Sequence, residues 1–256
     1  MYQTQAADTY KRDWRTAFGA LRKLLSDGDD TTQVFIIMRA LNGASTPKNY
    51  GKLLRTPEGA RQAYERVELA AERFSDPALV QSYAPGTVGA AYRAWLEETG
   101  YSAEGLAEVS NLDGRETPIP HPYAWFGRRT RDVHDVWHVL TGYKADETMG
   151  EAALVAFSYA QTGGLGWAFI AAGAALKSIR ETGNRLFAKA VLEGYRNGRR
   201  AAWLLGEDYE ALMREPLDAA RRRLRIAEPV AYAQAQRELG TELASYASKQ
   251  KAAALA

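Results

Sequence analysis

Apolar residues along this chain recur at intervals of three, four and seven rather than two, and glycine and proline punctuate the segments that carry them. That spacing gathers apolar side chains on one stripe of a helix, and no run reads as a strand followed by a hairpin turn. The pattern predicts about nine to eleven helices, with cores at Lys11–Leu25, Thr31–Leu41, Glu58–Phe74, Val88–Glu98, Tyr123–Leu140, Met149–Gln161, Gly166–Ile179, Asn184–Leu205, Pro216–Ile226 and Val230–Ser248. Within Tyr123–Leu140, Phe126, Val133, Trp137 and Leu140 follow one another at seven, four and three positions, so they form a core-facing stripe. The expected fold is all-α, a single multi-helix domain over residues 1–256. Its N-terminal helical portion covers residues 1–111, the portion that carries the candidate chemistry covers residues 112–248, and residues 249–256 form a frayed tail. Pro118, Pro120 and Pro122 predict an extended connection over Leu112–Pro122.

Ala152–Leu176 holds 25 residues without a charge, enough to cross a bilayer as one helix. Gln161, Thr162, Gly163 and Gly164 interrupt it midway, which predicts two buried helices joined by a turn and no transmembrane segment.

Composition narrows the function further. The 33 basic residues against 31 acids leave a net charge of +2, too balanced for a protein that neutralises nucleic-acid phosphates over a broad surface. The absence of cysteine removes disulfides, thiolate catalysis, iron–sulfur clusters and cysteine-rich zinc sites, so any metal must use nitrogen and oxygen. Met1–Trp14 lacks an apolar signal core and carries Asp8 and Asp13, so neither a secretory signal nor a transit peptide is expected and the chain should stay in the cytoplasm.

The three histidines, His121, His134 and His138, fall within eighteen positions, and two are four apart on a predicted helix. Around a helix of about 3.6 residues per turn, positions 134, 135 and 138 lie at roughly 0°, 100° and 40°, so two imidazoles and the Asp135 carboxylate project from one side. Two nitrogens and a carboxylate suit zinc, iron or manganese better than calcium or magnesium. Glu151, directly after Gly150 at the start of the next predicted helix, is the best candidate for a further oxygen ligand, which puts the metal site between two consecutive helices. An aspartate beside Trp137, Val133, Val136 and Val139 needs a compensating cation. A metal ion supplies it, or else Arg128 or Arg131, which precede Asp135 by seven and four residues, supply it without any metal. Other metal patterns do not fit. A metalloprotease needs glutamate where Asp135 stands, a dinuclear bundle needs a second carboxylate-x-x-His turn, and a His-Asp phosphohydrolase needs more histidines than His121.

The run His134-Asp135-x-x-His138, followed by Gly150-Glu151, resembles the signature of the ubiquinone (coenzyme Q) biosynthesis protein 4 family. The resemblance extends to Arg131, the apolar helix Glu151–Thr162, Arg196-Asn197-Gly198-Arg199 and Glu215-Pro216-Leu217. The family pattern has eleven residues between the second histidine and the glutamate, whereas residues 139–150 here are twelve, and the extra one is assigned to the loop Lys144–Thr148. This resemblance implies a ubiquinone biosynthesis protein, peripherally associated with the inner membrane, that removes the ring carboxylate of a polyprenylated 4-hydroxybenzoate-type precursor, with or without coupled oxidation, as a metal-dependent carbon–carbon lyase. It implies that His134, Asp135, His138 and Glu151 hold one divalent ion, zinc first and iron or manganese as alternatives, and act on substrate through it. The implied partners are a polyprenylated aromatic lipid, the membrane surface and other quinone-biosynthesis proteins, and a homodimer is compatible with them. The alternative function is a non-catalytic lipid-binding scaffold that organises a quinone biosynthetic complex, its ion only pinning the fold. A metal-dependent hydrolase ranks behind both.

Arg128, Arg131 and Lys144 are candidates for holding the substrate's acid group, and Gly163 and Gly166 for leaving room for a prenyl tail. Arg221, Arg222, Arg223 and Arg225 are candidates for anionic head groups, at about 1 kcal/mol each near a charged surface. Each has a plainer reading as a solvated face, an ion pair with an acid such as Asp132, or a close helix contact.

Overall fold

The computed structural model describes residues 11–27, 30–103 and 121–239, so most of the expected connection Leu112–Pro122 and the tail beyond 239 lie outside the described residues. Among the described residues every regular element is helical, and the strand-like pairing consists of an isolated bridge between Thr87 and Pro216. The described residues pack as two compact units, those within 1–43, 142–199 and 228–256 in one and those within 44–141 and 200–227 in the other.

The first unit holds α1 (Trp14–Ser26), α2 (Thr31–Leu41), α9 (Thr148–Thr162), α10 (Leu165–Thr182), α11 (Leu186–Arg200) and a helical stretch over 230–239. Asp13 starts α1 by accepting the Thr16 N–H at 3.0 Å, and Ala17, Ala20, Leu21 and Leu24 make its buried stripe. The uncharged stretch is indeed two helices. Gly163 closes α9 in the left-handed region at φ 68°, donating its N–H to Tyr159 O at 2.8 Å. Thr162 and Gln161 turn inward there, Thr162 Oγ1 to Ser158 O at 2.8 Å and Gln161 Nε2 to Gly198 O at 2.8 Å. Among the described residues no helix is long and apolar enough to cross a membrane.

Helices α9 and α11 approach through glycine. A Cβ on Gly194 would lie 2.2 Å from Ala153 O, and one on Gly198 would lie 2.6 Å from Phe157 O. Backbone cannot yield as a side-chain tip can, so Gly194→Ala should lower unfolding stability by about 1–3 kcal/mol. A reduced urea midpoint at constant m-value would register this, and an unchanged midpoint would mean the two helices tolerate a wider spacing.

The second unit holds α3 (Ser45–Leu53), α4 (Pro57–Glu65), a π turn (Ala70–Phe74), α5 (Pro77–Ser82), α6 (Val88–Thr99), α7 (Pro122–Asp132), α8 (His134–Thr141), a 3-10 turn (Leu204–Gly206), α12 (Tyr209–Arg214) and α13 (Leu217–Arg223). Two helices expected as single pieces are broken. Glu58–Phe74 divides at Arg66, which adopts φ 50°, because the following backbone is claimed by α7: Trp125 Nε1 donates to Val67 O at 3.1 Å and Ala70 N–H donates to Asp132 Oδ2 at 3.1 Å. Tyr123–Leu140 divides at Val133, which caps α7, and α8 begins at the next residue. Asn184–Leu205 ends early, at Arg200, where Ala202 N–H is drawn to Leu224 O at 2.8 Å. Helices α3, α5 and α12 have no counterpart in the expected set. The Glu215-Pro216-Leu217 segment fastens α6 and α13 together, with Val88 N–H on Glu215 O and Leu217 N–H on Gly86 O, both at 2.9 Å.

Candidate metal centre

Helix α8 is short, and every residue from Asp135 to Thr141 is buried. Its expected core stripe holds: Phe126, Val133, Trp137 and Leu140 are all at most 1% exposed. Two side-chain bonds and a guanidinium clamp fix its position. Trp137 Nε1 donates to Tyr209 Oη at 2.6 Å, Tyr209 Oη donates onward to Leu204 O at 3.2 Å, and Arg221 reaches the C-terminal carbonyls of α8, its Nε to Leu140 O at 3.0 Å and Nη2 to Val139 O at 3.1 Å. A cation on exposed carbonyls at a helix C-terminus is also favoured by the helix dipole. Arg221 is therefore committed inside the fold, and Arg223 pairs with Glu215 and Glu207 at 2.9 and 2.7 Å.

With α8 held, His134 and His138 share a face, their ring centroids 5.0 Å apart at 77°. His138 stacks on Trp95 of α6 at 6.0 Å and 18°, and Trp95 stacks in turn on Tyr92 at 5.8 Å and 15°. His134, His138 and Glu151 each offer a ligand atom, all within 4.8 Å of one another, and they are a group among the described residues that could hold a metal ion. Asp135 is not part of this converging set; its Oδ1 lies 3.9 Å from His134 Nδ1. His121 lies elsewhere, capping α7 by accepting the Tyr123 N–H on Nδ1 at 3.2 Å.

Glu151 stands in the first turn of α9, just after the loop that follows α8. That loop folds back on the helix start so closely that a Cβ on Gly150 would lie 2.0 Å from Lys144 O. The C-terminal helical stretch pins it: Lys144 N–H donates to Tyr232 Oη at 3.1 Å, Tyr232 Oη donates to Glu147, and Gln236 Nε2 donates to Glu147 Oε1 at 3.1 Å.

The two arginines proposed to balance Asp135 each meet another acid. Arg128 makes a forked pair with Glu68, Nη2 to Oε1 at 2.6 Å and Nε to Oε2 at 3.0 Å, and Arg131 puts both Nη2 and Nε on the one oxygen Asp132 Oδ1, at 2.8 and 3.0 Å. Burial pushes the Asp132 carboxyl above the usual carboxylate range, against the opposing pull of Arg131 and the Ala70 N–H. Of the remaining sequence candidates, the Lys144 side chain is exposed, Gly163 is the C-cap of α9, and Gly166 packs with no room for a Cβ against Met38 and Asn42. Tyr92, Trp95 and Tyr209 are not singled out by the sequence, and Arg221, read there as a candidate for anionic head groups, instead holds the C-terminal carbonyls of α8. The aromatic pair at 92 and 95 has helical spacing, but nothing local ties it to the histidines.

Residues 24–230 match the family described as coenzyme Q (ubiquinone) biosynthesis protein Coq4. The chain is 29% identical over 206 residues to the mitochondrial ubiquinone biosynthesis protein coq4 of Pyrenophora tritici-repentis, covering 80% of this chain and 65% of that protein. It is 32% identical over 181 residues to the mitochondrial ubiquinone biosynthesis protein COQ4 homolog of Danio rerio, covering 70% of this chain and 63% of that one. The chain thus spans less than two thirds of the length of these relatives. A crystal structure from Nostoc punctiforme PCC 73102, described as a candidate ubiquinone biosynthesis protein, shares the fold with a TM-score of 0.63 at 20% identity, over 85% of this chain and all of that one.

Proposed function

Because the chain belongs to the coenzyme Q (ubiquinone) biosynthesis protein Coq4 family, we propose that it works in ubiquinone biosynthesis as a metal-dependent lyase. In this reading it removes the ring carboxylate of a polyprenylated 4-hydroxybenzoate at a membrane surface, beside other proteins of the pathway. The observation that carries the reading is the convergence of His134, His138 and Glu151 within 4.8 Å.

The donor set fits a resident ion: two imidazole nitrogens and a carboxylate are the ligands of zinc, iron and manganese, zinc being the first choice. Three protein ligands leave coordination positions for substrate, unlike a closed structural site. A bound divalent ion would supply Lewis acidity toward a substrate oxygen. The protein's own role is to hold the three donors, to cover the His138 ring with Trp95, and to exclude water from charge that develops as carbon dioxide leaves. The electron pair left on the ring carbon then takes up a proton.

Exposed aromatics support action at a membrane surface. Trp14, Phe18 and Phe169 form one cluster in the first unit, with Phe18 60% exposed and Leu176 on α10 also exposed. Lys11, Arg12 and Arg15 sit beside Trp14 in the sequence and are exposed, a combination suited to a lipid–water boundary.

The test is release of carbon dioxide from a prenylated 4-hydroxybenzoate by the purified protein. Wild type should turn over and Glu151→Gln should not, with circular dichroism unchanged. A folded Glu151→Gln variant that supports quinone synthesis in cells as wild type does would favour the scaffold.

A further inference from the structure

We propose that the helical stretch over 230–239 is a latch for the metal centre: through Tyr232 and Gln236 it holds Glu147, and Glu147 holds the first turn of α9, which keeps the Glu151 carboxylate in place. The proposal rests on the metal-centre reading and assigns Tyr232, Gln236 and Glu147 as positioning residues within it. None of the three belongs to the converging ligand set.

Helix α9 has little of its own to fix its start. Glu147 stands at the N-cap position, yet its side chain makes no cap bond to the helix, and glycine occupies position 150 of the first turn. A first turn built this way frays unless contacts from elsewhere hold it. Fraying would displace Glu151 directly, because the Glu151 N–H donates to Glu147 O at 3.1 Å as an opening bond of the helix.

What holds the turn lies 85 residues further along the chain. The Glu147 carboxylate accepts from the Tyr232 hydroxyl and, on Oε1 at 3.1 Å, from Gln236 Nε2. The same hydroxyl accepts the Lys144 N–H at 3.1 Å and Gln236 Nε2 at 3.0 Å, so the donor and both acceptor positions of the phenol are engaged. Burial first, and then the bond to Glu147, raise the Tyr232 phenol above its usual range, which keeps it a donor. The stretch is itself anchored within the first unit. Glu193 of α11 accepts the Ala231 and Tyr232 N–H groups at 2.8 and 3.0 Å, and the Tyr232 ring meets Tyr143 edge-on at 5.2 Å and 85°. The Tyr143 hydroxyl accepts in turn from Asn197 Nδ2 at 3.3 Å, so the Arg196-Asn197-Gly198-Arg199 segment noted in the sequence stands behind the latch.

Zinc affinity of the full chain, read by competition with a chromogenic chelator, tests the latch. Tyr232→Phe and Glu147→Ala should each bind zinc at the wild-type stoichiometry under saturation, with affinity weakened about 10-fold, the low end of what loss of an outer partner costs. Glu147→Gln, which keeps an acceptor oxygen for the Tyr232 hydroxyl, should recover most of that loss. In a Glu151→Gln background, where there is no carboxylate to place, Tyr232→Phe should weaken zinc binding no further, whereas a general loosening of the fold acts in both backgrounds. Equal losses with and without the Glu151 carboxylate, wild-type affinity in Tyr232→Phe or Glu147→Ala, or a Glu147→Gln no better than Glu147→Ala overturns the latch and leaves the metal centre standing. Should Tyr232→Phe fail to fold, Glu147→Ala, at a half-buried position, carries the same comparison. A wild-type chain that takes up no zinc, iron or manganese sinks the metal centre itself and the latch with it.

Discussion

Purified protein should carry a stoichiometric divalent ion that His134→Ala and His138→Ala each reduce to background, as read by elemental analysis after exhaustive dialysis. The expectation follows from how few donors the centre has. Among the described residues three ligand atoms converge, so deleting either imidazole leaves one nitrogen and one carboxylate oxygen. His121 cannot stand in for the lost ring, because it is occupied as a cap of α7. Removing the metal should also lower the melting temperature of wild type and leave that of the two variants where it is, since an ion that binds only the folded state stabilises it by mass action. A metal-free parent with a melting temperature indifferent to zinc would instead mean that the histidine pair is ordinary core.

Trp137→Ala should cost about 3–5 kcal/mol of unfolding free energy, the range for deleting a large aromatic side chain from a packed core. Trp137 is 1% exposed, and its indole N–H is the donor that ties α8 to Tyr209 and, through that hydroxyl, to Leu204. The loss has two components that Trp137→Phe separates. Phenylalanine keeps most of the apolar volume but removes the donor to the Tyr209 oxygen, which keeps its own bond to Leu204 O, a loss of about 0.5–1.5 kcal/mol. Equilibrium urea unfolding checks both values. If Trp137→Phe equals wild type, the indole–phenol bond does not hold α8. Because His134 and His138 ride on this helix, both variants should also bind metal more weakly.

The regions of this fold visible in the sequence are those where a local rule and the tertiary environment agree. Phe126, Val133, Trp137 and Leu140 read as core because core is where their spacing puts them. The same spacing hides the break at Val133, since the apolar period runs through it without losing step. Arg66 gave no warning either: arginine is not a residue that favours positive φ, and the helix ends there because α7 takes the next backbone groups. Helices α5 and α12, six residues each, are too short to display a period. At the candidate centre the histidine pair was legible from spacing alone, and Glu151 from its place at the head of the next helix. Tyr92, Trp95 and Arg221 were not, because each meets α8 only through the folding of distant segments.

The glycine turn at 163 and 164 has a consequence for how the nascent chain is sorted. Separately, α9 with 15 residues and α10 with 18 would extend about 22 and 27 Å at 1.5 Å per residue, each short of the roughly 30 Å hydrocarbon layer. Fused, the uncharged run from Ala152 to Leu176 would offer the insertion machinery a continuous stop-transfer helix. Two adjacent residues without side chains thus decide whether a greasy quarter-hundred of amino acids is delivered as the inside of a protein or as a segment threaded through a bilayer.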